Sequence, residues 1–184
     1  MTSAQRPVRL ALVGCGKMSK THTDRFDQLT DDVKVVAAVD PVAERAEATA
    51  GLFEGAVAAA DVSEVLDVAD AFMLNLPHDQ HYPVAKTCMR AGKHVLMEKP
   101  LANTEKECLE LIRLADETGI VFMIGYIRVY QPLVVKLKEL LEEKAYGDLF
   151  HMSIWTEQMT RPRTTWGSTL SGCGGGQLFS HGCH

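Results

Sequence analysis

The chain has 184 residues, 46% hydrophobic and 23% charged, with 19 Lys and Arg against 24 Asp and Glu and a formal net charge of −5. That length and composition bury a real core and suit one domain, or one domain with part of a second. No stretch is basic enough for nucleic acid or an anionic membrane surface, and neither a leader in residues 1–7 nor a bilayer-length apolar run is visible, so a cytoplasmic protein is expected.

Val8, Leu10, Ala11, Leu12 and Val13 make an apolar run that ends in Gly14-Cys15-Gly16 before a segment of helical period. The pattern predicts a buried strand turning into a helix over 18–29. Glycines there permit a tight reversal and bring bare backbone against a ligand, while the first N–H groups of the helix face an anion such as a pyrophosphate. The place of a third glycine is held by the small Ser19. Taken alone, a Gly-x-Gly turn is either such a nucleotide site or a plain tight turn.

Residues 34–39 read as a second buried strand ending at Asp40, 21 residues after Ser19. A carboxylate at about this spacing accepts ribose hydroxyls and repels a 2′-phosphate, which favours NAD over NADP. The alternative is that Asp40 caps the next helix ahead of Pro41.

A helix over 41–50 is followed by Gly51, and 56–59 is a short third strand. Asp61-Val62-Ser63-Glu64 has capping-box spacing and opens a brief helix to Asp67. Residues 71–76 form a near-continuous apolar strand that stops at Pro77, followed by a helix over 79–91 with Gly92 at its end. A fifth strand over 94–97 runs into Glu98-Lys99-Pro100. A capping box from Thr104 to Glu107 starts a helix over 104–118, with an apolar stripe at Cys108, Leu111, Ile112 and Ala115 and Gly119 at its close. Residues 120–124 are a sixth strand. Strands alternating with helices through short links require right-handed crossovers and a doubly wound parallel sheet, an α/β domain over 1–125.

Beyond Gly125 a second domain, 126–184, is expected to begin. Leu133, Val134, Leu137, Leu140 and Leu141 share one helix face, and 150–157 alternate as a half-exposed strand of a different, open and mainly antiparallel sheet. In the polar loop 158–173, Arg161, Arg163 and Trp166 either clamp a carboxylate and stack on a sugar face or belong to a solvated surface. Gly174-Gly175-Gly176 leads into 177–184. Five scattered cysteines (15, 88, 108, 173 and 183) predict reduced thiols. His181, Cys183 and His184 crowd one short segment, where ligands do not complete a tetrahedron without a partner elsewhere, so no metal is expected.

In an open parallel sheet, ligands sit beyond the C-terminal strand ends, and Gly14 to Ser19, Asp40, Asn75 to His78 and Glu98-Lys99-Pro100 all lie there. Lys99 is the most informative. Pro100 biases it to an extended conformation, and its amine can donate to a substrate oxygen beside a positive nicotinamide ring that lowers its pKa. Otherwise it is a surface lysine paired with Glu98.

Gly14-Cys15-Gly16, Asp40, Pro77 followed by His81, Ala91-Gly92-Lys93-His94-Val95-Leu96-Met97-Glu98-Lys99-Pro100, Gly125 to Pro132 and Gly174-Gly175-Gly176 together resemble the glucose-fructose oxidoreductase / inositol dehydrogenase / rhizopine catabolism family (Gfo/Idh/MocA). The resemblance implies a Rossmann domain followed by an α/β domain with a large open sheet. It implies NAD(P)-dependent oxidation or reduction of a sugar, polyol or related compound. Cofactor contacts are then expected from Gly14, Gly16, Lys17, Met18, Asp40, Asn75, Pro77, His78, His81, Glu98 and Lys99. The resemblance places Lys99 and His184 in the catalytic group, with His184 as acid/base histidine; the other reading of His184 is a generic terminal residue. Substrate contacts are assigned to Lys99, Tyr126, Arg128, Trp166, Ser180, His181 and His184. Ser180 stands where many members carry an Asp that orients the histidine, so the mechanism is rearranged or activity impaired. Members are longer, with the rest of the open sheet and usually the oligomer interface after the position matching 184, so the chain is expected to be truncated. Two further readings follow: a nucleotide-binding remnant without turnover, and an NAD-assisted glycosidase of the same family.

Overall fold

The computed structural model describes residues 6–26, 29, 31–155 and 182. Six strands, β1 (Val8–Val13), β2 (Val33–Val39), β3 (Val57–Ala59), β4 (Ala71–Leu74), β5 (His94–Met97) and β6 (Phe122–Ile124), form one parallel sheet in the order β3-β2-β1-β4-β5-β6. Between and after them lie α1 (Lys17–Thr23), α2 (Ala43–Ala50), α3 (His78–Arg90), α4 (Glu105–Thr118) and α5 (Pro132–Glu142), with 3-10 turns at Val62–Val65 and Ile127–Tyr130. The expected doubly wound α/β sheet is present. Its strand order reverses at β1/β4, the place where such sheets open a crevice.

On one face Ala11, Val13, Phe72, Leu74, Val95 and Met97 pack against Ala85, Cys88 and Met89 of α3 and Leu111 of α4. On the other, Leu10, Leu12, Val35 and Met73 pack against Phe26 and Phe53, whose rings meet edge-on with centroids 6.1 Å apart. Both faces of β1 are therefore covered from Leu10 to Val13, which is why it reads as an unbroken apolar run. In β5, Val95 and Met97 are buried while His94 and Leu96 are exposed, so among the described residues only one face of this strand is covered.

Polar groups fasten the frame. At the strand starts, the Arg9 guanidinium grips Asp70 through two bonds of 3.1 and 2.7 Å, the Arg9 main-chain N–H adds one of 3.1 Å, and Arg6 one of 3.2 Å. The Arg9 hydrogen bonds above all hold the Asp70 carboxyl well below the usual carboxylate range, against the opposing push of burial. Between α3 and α4, the Tyr82 hydroxyl donates to Glu110 at 2.6 Å and Lys86 donates to both.

Several elements depart from expectation. Helix α1 ends at Thr23 rather than 29: it lacks an apolar stripe, and the Thr21 and Thr23 hydroxyls turn back onto the carbonyls of Lys17 (3.3 Å) and Lys20 (3.0 Å). Gly51 follows α2 but at φ −61°, so no left-handed stop is made there; Gly119, at φ 66°, does close α4 in that way. The capping boxes of Asp61 and Thr104 both form. The strand expected over 150–157 is not seen in 150–155, where no described segment supplies a ladder and Phe150, Ile154 and Trp155 are exposed; 156 and 157 lie outside the described residues. Helix α5 forms as expected, but none of its residues is buried. Among the described residues no helix is long and apolar enough to cross a membrane.

Candidate functional site

All six strands stop at one level: Ala59, Val39, Val13, Leu74, Met97 and Ile124 are register partners across the sheet. The next residue of each of five strands is then tied sideways to its neighbour's last carbonyl. Asp40 N–H donates to Ala59 O (3.1 Å), Gly14 to Val39 O (2.8 Å), Asn75 to Val13 O (2.8 Å), Glu98 to Leu74 O (2.9 Å) and Gly125 to Met97 O (2.8 Å). Asp40, Gly14, Asn75, Glu98 and Gly125 thus form one row across the strand tips, with neighbours roughly 4.8 Å apart at the usual strand spacing.

Within that row the glycine turn is close-fitting. Gly14 has φ +85°, and a Cβ there would lie 2.5 Å from the Asn75 carbonyl oxygen and 3.1 Å from Leu76 Cδ2. Only glycine fits. Gly16, the residue before α1, has open space around the position of a Cβ. Ser19, the small residue in the place of the third glycine, is 2% exposed, and its buried hydroxyl has no partner among the described residues.

Asp40 is buried, and its oxygens accept from Cys15 N–H (2.9 Å) and Val42 N–H (3.0 Å). The carboxylate therefore stiffens both the glycine turn and the approach to α2, but it does not cap that helix, whose preceding residue is Val42 and whose first turn receives no side-chain cap. Each oxygen keeps a second lone pair for a hydroxyl donor. Burial pushes the Cys15 thiol upward, away from a reactive thiolate.

Asn75 lies between the turn and α3 with both side-chain polar atoms buried and, among the described residues, without partners. Buried amides are seldom left so, and an unsatisfied pair at a cleft points to a ligand that completes it. Pro77 precedes α3, and His78 opens it, buried. His81 corrects the expectation of a cofactor contact. It is fully buried, with Nδ1 2.7 Å from Pro100 O and Nε2 3.0 Å from Leu76 O, so no nitrogen faces the crevice. Burial lowers its pKa, against the pull of the two carbonyls. In its neutral form one ring N–H donates to one of these carbonyls, and the ring fills the space between the segment after β4 and the one after β5.

Glu98 and Lys99 follow β5, and the Lys99-Pro100 peptide is cis. Glu98 does not leave the β5 segment as half of an isolated surface pair with Lys99: its Oε1 lies 2.8 Å from His22 Nε2 on α1, and its Oε2 accepts the Lys99 main-chain N–H at 3.3 Å. Burial pushes the Glu98 carboxyl upward, but the His22 hydrogen bond and charge, with help from Lys99, hold it below its ordinary value. Lys99 is half-buried, at the mouth of the crevice. Tyr126 is half-buried just past β6, whereas Arg128 is exposed on the following 3-10 turn. Lys17 and Met18 are exposed on the first turn of α1. Trp166, Ser180, His181 and His184 lie outside the described residues, as do Arg161, Arg163 and Cys183. Among the described residues no group of three or more His, Cys, Asp or Glu is placed to hold a metal ion.

His22 was not foreseen. Its only signal is a histidine in a short helix with no apolar stripe, directly after the glycine turn. Asn75 was foreseen by position, but its unsatisfied amide shows only in three dimensions.

A parallel sheet in this order, a glycine turn after its first strand and a buried acid after its second define a dinucleotide-binding domain. Residues 8–126 match the GFO_IDH_MocA oxidoreductase family, described by its NAD-binding Rossmann fold, and the chain belongs to that family. It is 35% identical over 127 residues to a 4-carboxy-2-hydroxymuconate-6-semialdehyde dehydrogenase of a Sphingobium species, covering 68% of this chain and 40% of that protein. It is 29% identical over 147 residues to an inositol 2-dehydrogenase of Corynebacterium glutamicum, covering 78% and 44%. Its fold matches the WlbA dehydrogenase of Bordetella pertussis, crystallised with NADH and UDP-GlcNAcA, with a TM-score of 0.72 and 28% identity over 77% of this chain and 44% of that one. The chain thus spans about two-fifths of the length of the curated relatives it matches.

Proposed function

We propose that this chain carries the cofactor-binding half of an NAD-dependent oxidoreductase acting on a hydroxyl or keto carbon of a sugar, polyol or related compound. The observation that carries the reading is the single row in which Gly14, Asp40, Asn75 and Glu98 stand together, with Lys99 one residue beyond. The dinucleotide supplies a hydride acceptor or donor when bound. The residues present fit it: Gly16 leaves room where a side chain would stand, and the Asn75 amide is buried and, among the described residues, unsatisfied.

In this reading the amides of the glycine turn face the diphosphate, while Asp40 takes ribose hydroxyls and its negative charge disfavours a 2′-phosphate. The Asn75 amide orients the half of the cofactor nearer Lys99. The Lys99 amine hydrogen-bonds the reacting oxygen and holds or releases its proton as the carbon changes oxidation state. His184 and Ser180 remain candidates for the proton relay and its orientation, and 126–184 for the start of a substrate domain. The names of the relatives support a polyol or sugar class: one is an inositol dehydrogenase and another was crystallised with a nucleotide sugar.

The test is a fluorescence titration of the chain with NADH and NADPH, followed by a screen of polyols and sugars for NADH formation. NADH binds more tightly than NADPH, and at least one polyol is turned over. Lys99→Ala keeps NADH affinity within about twofold and lowers turnover by about 10²–10⁴-fold, the range for a positioned acid or base. Equal turnover in the variant removes Lys99 from the chemistry, and absence of NADH binding removes the whole reading.

A further inference from the structure

We propose that His22 is a positioning residue for the dinucleotide: its bond to Glu98 ties the helix that carries the glycine turn to the tip of β5, and so sets the distance between the two halves of the cofactor site. The proposal deepens the reading above and rests on it for what occupies the crevice.

Helix α1 begins directly after Gly16 and has little to hold it. Its buried residues are Ser19 and Thr23, so little apolar area leaves water when it docks. The Thr21 and Thr23 hydroxyls bond to carbonyls of α1 itself, and the Ser19 hydroxyl has no partner among the described residues. Past the helix, Phe26 packs on Phe53, which follows α2. Among the described residues, the side-chain bond that ties α1 to another element is the one between His22 Nε2 and Glu98 Oε1, at 2.8 Å.

The Glu98 end of that bond is itself held firmly. Its main-chain N–H bonds Leu74 O at 2.9 Å, its Oε2 accepts the Lys99 main-chain N–H, and a Cβ on Gly125 would stand 3.8 Å from Oε1. The His22 and Glu98 side chains are 23% and 15% exposed, so water competes weakly for the bond. In the sheet, β4 stands between β1 and β5. A bond from the helix after β1 to the residue after β5 therefore bridges past one strand, and it joins segments 76 residues apart in the chain.

In the reading above, these segments belong to the two halves that a dinucleotide spans. Asp40 and the glycine turn lie on one side and Glu98 on the other, and from Asp40 to Glu98 the row crosses three strand spacings, roughly 14 Å. A ligand recognised at both ends gains from its second end only where the protein holds the two sites at the matching separation. His22 supplies that hold. A histidine suits the task because Nε2–H can donate whether the ring is neutral or charged, and a glutamine Nε2 has nearly the same reach.

The test compares NADH with AMP on the full 184-residue chain and its variants, NADH by fluorescence titration and AMP by saturation-transfer NMR. AMP fills only the half made by Asp40 and the glycine turn. In His22→Leu, NADH weakens by about tenfold or more while AMP stays within about twofold of the parent. His22→Gln, which still donates to Oε1, brings NADH back to within about threefold of the parent. Unchanged NADH affinity in folded His22→Leu overturns the proposal. AMP weakened as much as NADH also overturns it, since His22 would then serve the turn alone, and so does a glutamine variant as weak as the leucine one. If His22→Leu does not fold by far-ultraviolet circular dichroism, His22→Asn, polar but too short to reach Glu98, takes its place with the same expected and overturning results. NADH titration of the parent chain separates the two ideas. Failed binding defeats the dinucleotide reading, whereas intact binding that the leucine variant leaves unmoved defeats only the role of His22.

Discussion

Two residues in the tip row allow a binding role to be tested apart from a structural one. Asp40 has a structural role in hand, because the oxygens proposed to meet a ribose already hold Cys15 and Val42 N–H. Asp40→Ala is expected to weaken NADH by about tenfold or more, the cost of one or more charge-assisted hydrogen bonds, and to weaken NADPH much less. Paired fluorescence titrations read this directly, and an unchanged preference between the two nucleotides assigns Asp40 to the turn alone. Gly14 is the opposite case. With φ +85° and a Cβ 2.5 Å from a carbonyl oxygen, Gly14→Ala should lower stability by about 2 kcal/mol or more in urea unfolding, since neither backbone nor neighbour can yield cheaply.

The link between β1 and β4 shows how one carboxylate can tie strands that are distant in sequence. Asp70 has a folded pKa below its unfolded value, so its contribution is present above the ordinary carboxylate pKa and is lost as pH falls through the folded one. Asp70→Asn should therefore cost about 1–2 kcal/mol at pH 7 and flatten the loss of stability below about pH 4, as read by thermal unfolding against pH. A parallel acid limb in the variant would deny Asp70 this role.

The core strands and α4 were legible because local signals agreed with the fold: unbroken apolar runs for β1 and β2, and a capping box with a glycine stop for α4. Gly14, Asp40, Asn75 and Lys99 were legible as neighbours at the strand tips because each directly follows, or stands two residues past, an apolar strand of one parallel sheet. Helix α1 was over-read, since its length depends on hydroxyls that turn back on the backbone rather than on periodicity. His81 was misread because a histidine facing a cleft and one lodged between two carbonyls look alike in sequence. His22 was missed because its partner lies on another element.

Beyond β6 the protein presents apolar surface that nothing described covers. Leu133, Leu137 and Leu141 on α5 are exposed, as are Leu96, Val121 and Met123 on the β5–β6 side of the sheet. Contiguous exposed apolar surface of this kind takes up other apolar groups from water. The 184-residue chain should accordingly bind a hydrophobic dye and show a sedimentation coefficient that rises with concentration. Leu133→Glu with Leu137→Glu should suppress both while changing the unfolding free energy by less than about 1 kcal/mol, because neither residue is buried. Dye binding and association unaffected by the double variant would place the sticky surface elsewhere.

The sideways bonding of the strand tips separates the floor of the crevice from its walls. Each of the five first residues past a strand has its amide committed to a neighbouring carbonyl, so the floor is a continuation of the sheet and shares its rigidity. The loops above begin only afterwards and are held instead by side chains, Asp40 on the turn after β1 and His81 on the segments after β4 and β5. A change confined to those side chains would therefore loosen a loop while the platform beneath keeps its spacing.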